Sequence, residues 1–336
     1  MSDLTLNSYW WEAERTTVWQ NVFALMNFCD QNQAALQASN MRYLRAYMGR
    51  DIQQTSVASY VLSYANDYNH QSIAQNLRKT QPKFNVVRSC IDTLVSKIGK
   101  NKVKPTALTT GGFIEQKTKA QELNQFLFGC LYENNAWEVS RQALRNAMIF
   151  GSGFVKIMRK SGRVHIESVF PDEIVVDPAD AYYGEPQQLF QRKFLQRDVL
   201  VRMFPKFEKE IKAVKGIDSR SSTNAKDTIQ VIEAWKRCKH GRHVIVLNGV
   251  TLFDEPYDAD CFPFAKIDYT KAPIGYFGTG VAELLQGIQS DLDRISSTIS
   301  ESLRLMSYPR IFVEMGSKVN PRHMTNEIGT FIPYSG

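Results

Sequence analysis

The chain of 336 residues contains no apolar run near the roughly 18 residues that cross a bilayer. Its opening, with acidic residues and the pair Trp10-Trp11, lacks the order of charge and apolarity of a signal peptide. Cysteine is sparse: five, scattered and odd in number, which argues against a disulfide framework and for reduced thiols in a cytosolic assembly compartment. No run of five Lys/Arg occurs, so the net charge of +7 is thinly spread, and it fits either an acidic partner or ordinary solubility. There is no Gly-x-x-x-x-Gly-Lys-Ser/Thr, no Gly-x-Ser-x-Gly and no His-Glu-x-x-His, which removes the P-loop motor and the commoner hydrolase and metalloprotease signatures. Gly151-Ser-Gly153 follows a helical pattern and precedes a strand, the reverse of the dinucleotide fingerprint, so it reads as a tight turn.

The carboxylates of Pro171-Asp-Glu-Ile-Val-Val-Asp-Pro-Ala-Asp180 could suggest metal-dependent chemistry. Asp172 and Asp177, however, sit at turn positions, where aspartate serves local hydrogen bonding. Cys238, His240 and His243 resemble a metal cluster but sit at or beside the predicted hairpin tip Lys239-His-Gly241, with no fourth ligand nearby. No credible active site, metal site or cofactor site emerges.

What is present is pattern. Val18, Trp19, Val22, Phe23 and Met26 form a helical stripe, Tyr60, Tyr64 and Tyr68 recur at i, i+4, and Val87, Ile91, Leu94, Val95 and Ile98 share a face that ends at Gly99, a predicted C-cap. Lys97, Lys100, Lys102 and Lys104 follow, read as a solvated helix end or a phosphate-contacting patch. After a loop over 106–113, helical periodicity covers about 115–150. The period then becomes two: 154–158 and 164–169 flank the turn Lys160-Ser-Gly162, and 173–177 adds a short strand. Residues 191–216 read as irregular and partly helical, and 218–224 as a polar loop. Residues 228–235, 243–247 and 250–253 form a meander with an Asn248-Gly249 turn, 263–269 is a further strand, and 310–314 another.

The strongest single signal is a helix from Val281 to Ser307, introduced by Gly275-Tyr-Phe-Gly-Thr-Gly280. Ile288, Leu292, Ile295, Ile299, Leu303 and Met306 recur with a mean spacing of 3.6, the period of a straight helix, and Val281, Leu284 and Leu285 extend the stripe. At 1.5 Å per residue it is about 40 Å long. Its other side, including Gln286, Gln289, Asp293, Arg294, Ser297, Glu301 and Arg304, is polar. The apolar stripe requires a cover from an earlier segment, a missing one or another subunit. Helices, a mixed β region and one long helix place the chain in the α+β class.

In this order several segments resemble the portal (head-to-tail connector) proteins of tailed bacteriophages, most closely those of short-tailed phages. Pro82 to Gly99 with the extended Val103-Lys-Pro-Thr-Ala107 is similar to an early portal helix and its sequel. Ala143 to Ile157 resembles the helix, glycine turn and strand of the portal wing, and Val169 to Asp177 and Ile229 to Trp235 resemble later wing strands. Phe277 to Met306 is similar to the stem, and Tyr308 to Val313 to the turn into the clip.

The resemblance implies a wing over 1–270 (helical over 1–150, mixed β over 151–270), the approach to the stem and its first helix over 271–307, and the start of a clip over 308–336. A returning stem helix and a crown would be absent from this chain. It further implies a non-enzymatic ring subunit, usually one of twelve, at the portal vertex of a virion capsid, assembled in the host cytoplasm. Double-stranded DNA would be packaged and ejected through its channel. Partners would be a terminase large subunit, the major capsid and scaffolding proteins and a tail adaptor, with no membrane and no cofactor. Channel-facing positions would be Gln289, Asp293, Arg294, Ser297, Glu301 and Arg304; clip contacts to terminase or adaptor would be Arg310, Lys318 and Arg322. A metal-dependent nucleic-acid enzyme and another virion adaptor are the alternatives.

Overall fold

The computed structural model describes residues 9–49, 84–109, 111–160, 162–216, 228–237 and 240–307, without side chains for 304–307. The helices are α1 (Val18–Asn32), α2 (Ala34–Met48), α3 (Val86–Gly99), α4 (Ile114–Glu133), α5 (Ala136–Phe150), α6 (Arg197–Met203), α7 (Glu208–Ala213) and α8 (Val281–Ser307). The strands are β1 (Ser152–Lys160), β2 (Arg163–Val169), β3 (Ile174–Val175), β4 (Gln188–Gln196), β5 (Thr228–Lys236), β6 (Arg242–Leu247), β7 (Val250–Pro256) and β8 (Phe264–Asp268). The α+β class is thus observed. The expected strand at 310–314, the tyrosine row at 60–68, the polar loop at 218–224 and Arg310, Lys318 and Arg322 lie outside the described residues.

The mixed β region is two antiparallel sheets. One has the order β2-β1-β8, the other β3-β4-β5-β6-β7. The final strand of the expected series therefore leaves the meander and pairs with β1, Ser152 opposite Asp268. Residues 188–196, expected to be mostly outside regular structure, form β4, which pairs along its whole length with β5. Its apolar residues come as the doublets Leu189-Phe190 and Phe194-Leu195, which hide a two-residue period. Its centre carries Gln191 and Arg192, both buried by partners distant in sequence.

The single helical stretch at 115–150 is two helices broken at Asn134-Asn135, where Asn135 takes a left-handed φ of 48°. Gly99 is the last residue of α3 rather than a left-handed cap; a Cβ there would meet Arg141 Nε at 2.9 Å, so its smallness admits that side chain.

Four apolar layers hold the parts. α1 lays Val18, Val22, Met26 and Cys29 against Phe190, Ile232, Ala234 and Val246 of the larger sheet. Phe154, Val169, Ile174, Leu189 and Trp235 join the two sheets, and each such large side chain contributes about 1.5–3 kcal/mol by burial. Leu200 and Ile211 of α6 and α7 cover Ile229, Val231, Leu247 and Leu252. Tyr43, Val87, Ile91, Val95, Met148, Ile149 and Phe150 of the helical part meet Val281 and Ala282, the first residues of α8. Asn85 fastens this last layer. Its Oδ1 accepts the Arg88 N–H at 2.7 Å, capping α3, while its Nδ2 donates to the carbonyls of Ala46 and Tyr47 at the end of α2.

Candidate functional site

The fold converges on the seat of α8. Gly151 (φ +92°) brings its backbone against the loop preceding α8, so close that a Cβ would lie 1.9 Å from the Gly278 carbonyl. Gly280 is confined as well, with Gly151 N and Met148 O each 2.8 Å from a would-be Cβ. Ser152 Oγ donates to Asp268 Oδ1 at 2.6 Å and accepts the Gly278 N–H at 2.8 Å. Lys266 Nζ pairs with Asp268 at 2.9 Å and donates to the Tyr276 carbonyl. Tyr276 stacks on Phe154, and burial, with Asp268 nearby, pushes its phenol above the ordinary range. The two glycine segments singled out in the sequence thus form one joint. It fixes the direction in which α8 leaves the smaller sheet.

The faces of α8 differ from the expected arrangement. Val281, Ala282 and Leu285 pack on the chain's own helices, but so does Gln289, which was expected on the outer polar side. Gln289 is buried: Oε1 accepts the Val86 N–H at 2.9 Å, and Nε2 donates to Phe84 O at 2.8 Å and to Asp293 Oδ1 at 2.9 Å. Its amide is spent on the start of α3 and on Asp293, so the side chain is turned into its own chain rather than lying on an outer polar side. Asp293 and Ser297 are half-buried beside it, with Ser297 Oγ donating to Asp293 O, whereas Arg294 is exposed and pairs with Asp291 at 3.4 Å. Glu301 is exposed; the side chain of Arg304 lies outside the described residues. Leu284, Ile288, Ile295, Ile299 and Leu303 are each 54–61% exposed. These members of the apolar row point away from the chain that carries them, while Leu292 is half-buried.

The other candidates resolve into structural roles. Asp180 Oδ2 accepts the Gln187 and Gln188 N–H groups, and Asp177 Oδ1 accepts that of Ala179. Asp172 is buried near Arg192 (3.6 Å), whose Nη1 also contacts both oxygens of Asp30 at 2.9 Å; burial pushes the Asp172 carboxyl up to about 6 although Arg192 opposes the shift. Among the described residues no group of three or more His, Cys, Asp or Glu could hold a metal ion. Cys238 lies outside the described residues, and His240 is exposed at a turn with φ 71°. His243, expected at the start of a strand beside the solvated tip, lies in β6 and is held inward: its ring stacks on Trp235 at 5.0 Å and Nε2 meets Glu233 at 2.9 Å.

Glu233 also binds Lys156 Nζ at 2.6 Å. Lys156 is 2% exposed, with Gln191 Oε1 at 2.9 Å and the Trp235 ring centroid at 4.7 Å. Burial holds the Lys156 ammonium below its ordinary pKa. Burial pushes Glu233 up, but His243 and Lys156 outweigh it and hold the carboxyl below the usual range. This ionic link between the sheets was missed in the sequence. Its signal was there, since a period of two puts Lys156 on the same face as Phe154.

No model of a known protein family matches the chain, and no curated protein matches it either.

Proposed function

We propose that the chain is a ring-forming structural subunit of a DNA conduit, of the portal kind its segments resemble. The observation that carries this reading is α8: a helix of 27 residues, rigidly seated at its start, that turns a row of exposed Leu and Ile outward. Such a row calls for α-helical neighbours, either the equivalent helix of adjacent copies or a returning helix. In a ring, seated helices of this kind stand side by side around a central passage. Asp293, Arg294, Ser297 and Glu301 would present mixed charge to it, and Gln289 would not. Mixed charge suits transit, because many unopposed phosphate–cation contacts would hold duplex DNA tightly. Arg310, Lys318 and Arg322 would belong to the end that meets terminase or adaptor. The carboxylates an enzyme reading requires are engaged by Arg192 and by backbone N–H groups of their own chain, which favours the structural reading.

Electron microscopy of the purified full chain, with mass photometry, tests this. Rings of about a dozen subunits with an open centre are expected, and Ile295→Asp with Ile299→Asp disperses them. Compact oligomers without a pore, or a metal-dependent nuclease activity lost in Asp177→Ala, would overturn it.

A further inference from the structure

α4 is a helix of 20 residues with no buried side chain. It and the segment before it expose Phe113, Ile114, Phe126 and Tyr132. Lys117 and Lys119 of α4 and Lys97, Lys100, Lys102 and Lys104 at and after the end of α3 are all exposed; Glu115, Glu122 and Glu133 of α4 are exposed too, but the lysines outnumber them. Lys102 and Lys104 are turned over the rings of Trp137 (5.5 Å) and Phe128 (4.8 Å). A cleft of about 320 Å³ opens between Lys104-Pro105-Thr106 and the α4 residues Asn124, Phe128 and Leu131. Its outer wall is held in place: Asn124 Oδ1 accepts the Ala107 N–H at 2.6 Å, and Trp137 Nε1–H donates to Val103 O at 3.1 Å. A surface this apolar and this basic fits a protein segment that brings both aromatic and acidic groups. A phosphate backbone would satisfy only the lysines.

The same chain carries that complement on its other side. Glu255 near the end of β7, and Asp258 and Asp260 in the turn between β7 and β8, are exposed. Tyr182 and Tyr183 are exposed in the loop before β4, Tyr183 at 89%. The two loops adjoin: Arg237 pairs with Glu185 at 3.9 Å and stacks on Phe262 at 5.6 Å, and Ala181 packs in one cluster with Tyr257 and Phe262. Lys271 also lies on this side, near Gly184, but the carboxylates outnumber it.

Sheet order sets the geometry. The end of α4 is tied to β2 through Arg163–Glu133 (3.2 Å) and the Ile166 N–H to Asn134 Oδ1, while the acidic turn leads into β8. In the order β2-β1-β8 these are opposite edges of one sheet.

We propose that the α4 face of one copy receives the acidic, tyrosine-bearing edge of a second copy, Tyr183 entering the cleft beside Lys104 and Glu255, Asp258 and Asp260 facing the lysines. Because the two surfaces differ and lie on opposite edges, the contact is head-to-tail, the type that closes into rings rather than pairs. The assignment rests on the ring reading above and names its wing contact.

A charge exchange on the full chain tests it, read by sedimentation velocity with circular dichroism as the folding control. One variant carries Lys117→Glu with Lys119→Glu, the other Asp258→Lys with Asp260→Lys; all four positions are exposed. The wild type is expected to associate, more weakly at high salt. Each variant alone is expected to associate at least roughly tenfold more weakly, and an equimolar mixture of the two to recover, since every interface in an alternating assembly is again complementary. Tyr183→Ala is expected to weaken association without changing its salt dependence. Rings that survive both reversals, or a mixture no better than its components, remove this contact and leave the ring reading standing. A wild type that is monomeric at low salt removes both. A duplex DNA fragment that loses binding to the lysine variant while association is unchanged assigns the lysines to phosphate and overturns the proposal.

Discussion

Replacing Lys156 by Met isolates the ionic link between the two sheets. The methionine keeps most of the stem volume but leaves Glu233, whose side chain is 17% exposed, with only the His243 ring as a polar partner, and leaves Gln191 Oε1 without its ammonium donor. It also removes the cation from 4.7 Å over the Trp235 ring. Removing one member of a buried pair costs about 3–5 kcal/mol; because His243 stays within 2.9 Å of Glu233, a loss near the lower end is expected. Glu233→Gln strands the buried ammonium and should cost a similar amount. The double variant should cost less than the sum by about 1–3 kcal/mol, the coupling of groups in direct contact. Guanidinium unfolding of the four proteins, read as midpoints at constant m-value, gives the cycle. A Lys156→Met protein within about 0.5 kcal/mol of wild type, or an additive cycle, would refute the assignment of this pair as a structural link.

Two glycines of the α8 region should respond oppositely to alanine. Gly151→Ala forces a Cβ into the Gly278 carbonyl at a positive φ and should lower stability by more than about 2 kcal/mol, whereas Gly287→Ala, on α8 with nothing within 4 Å of the new Cβ, should raise it by about 0.8–1 kcal/mol in the same thermal or denaturant assay. Asp172 binds its proton more readily in the fold (about 6) than in the unfolded chain (3.8), so its contribution is most favourable below the unfolded value and is lost as pH rises through about 6, by about 3 kcal/mol at 1.36 kcal/mol per unit. Asp172→Asn should flatten the stability–pH slope between these values; an unchanged slope sinks the argument.

Where the chain obeys one period, the sequence and the fold agree: the α1 stripe, the β1–β2 hairpin, the Asn248-Gly249 turn and the whole of α8 lie where hydrophobic spacing puts them. Disagreement begins where long-range polar partners replace apolar ones. β4 is hidden because Gln191 and Arg192 are buried by bonds to Glu173, Lys156 and Asp30, none visible in a local window. His243 reads as a strand end beside a solvated turn until Trp235 is paired across from it. The joint between Gly151 and Gly278 needs two glycine segments, each readable as a turn, to be placed against one another over 127 positions.

Long-range polar partners also decide which face of α8 its own chain covers, a choice that hydrophobic spacing leaves open. Periodicity locates its apolar row but cannot say which side faces home. That choice falls to the first two turns: Val281, Ala282 and Leu285 enter the helical layer, and Gln289 makes three hydrogen bonds at the start of α3 and to Asp293. Once these are fixed, the rigid helix carries Ile288, Ile295, Ile299 and Leu303 outward. Each is about half exposed, so covering the row would yield on the order of 1 kcal/mol per residue at 25 cal/mol per Å². In the proposed ring this would add to the attraction between neighbouring copies but, being non-directional, would not set their order. Direction must come from elsewhere. The opposite charges at the β2 and β8 edges can supply it, because like edges repel and only one sense of stacking brings lysine to carboxylate. Assembly strength would then reside in α8 and assembly polarity in the smaller sheet, with the glycine joint fixing the angle between them.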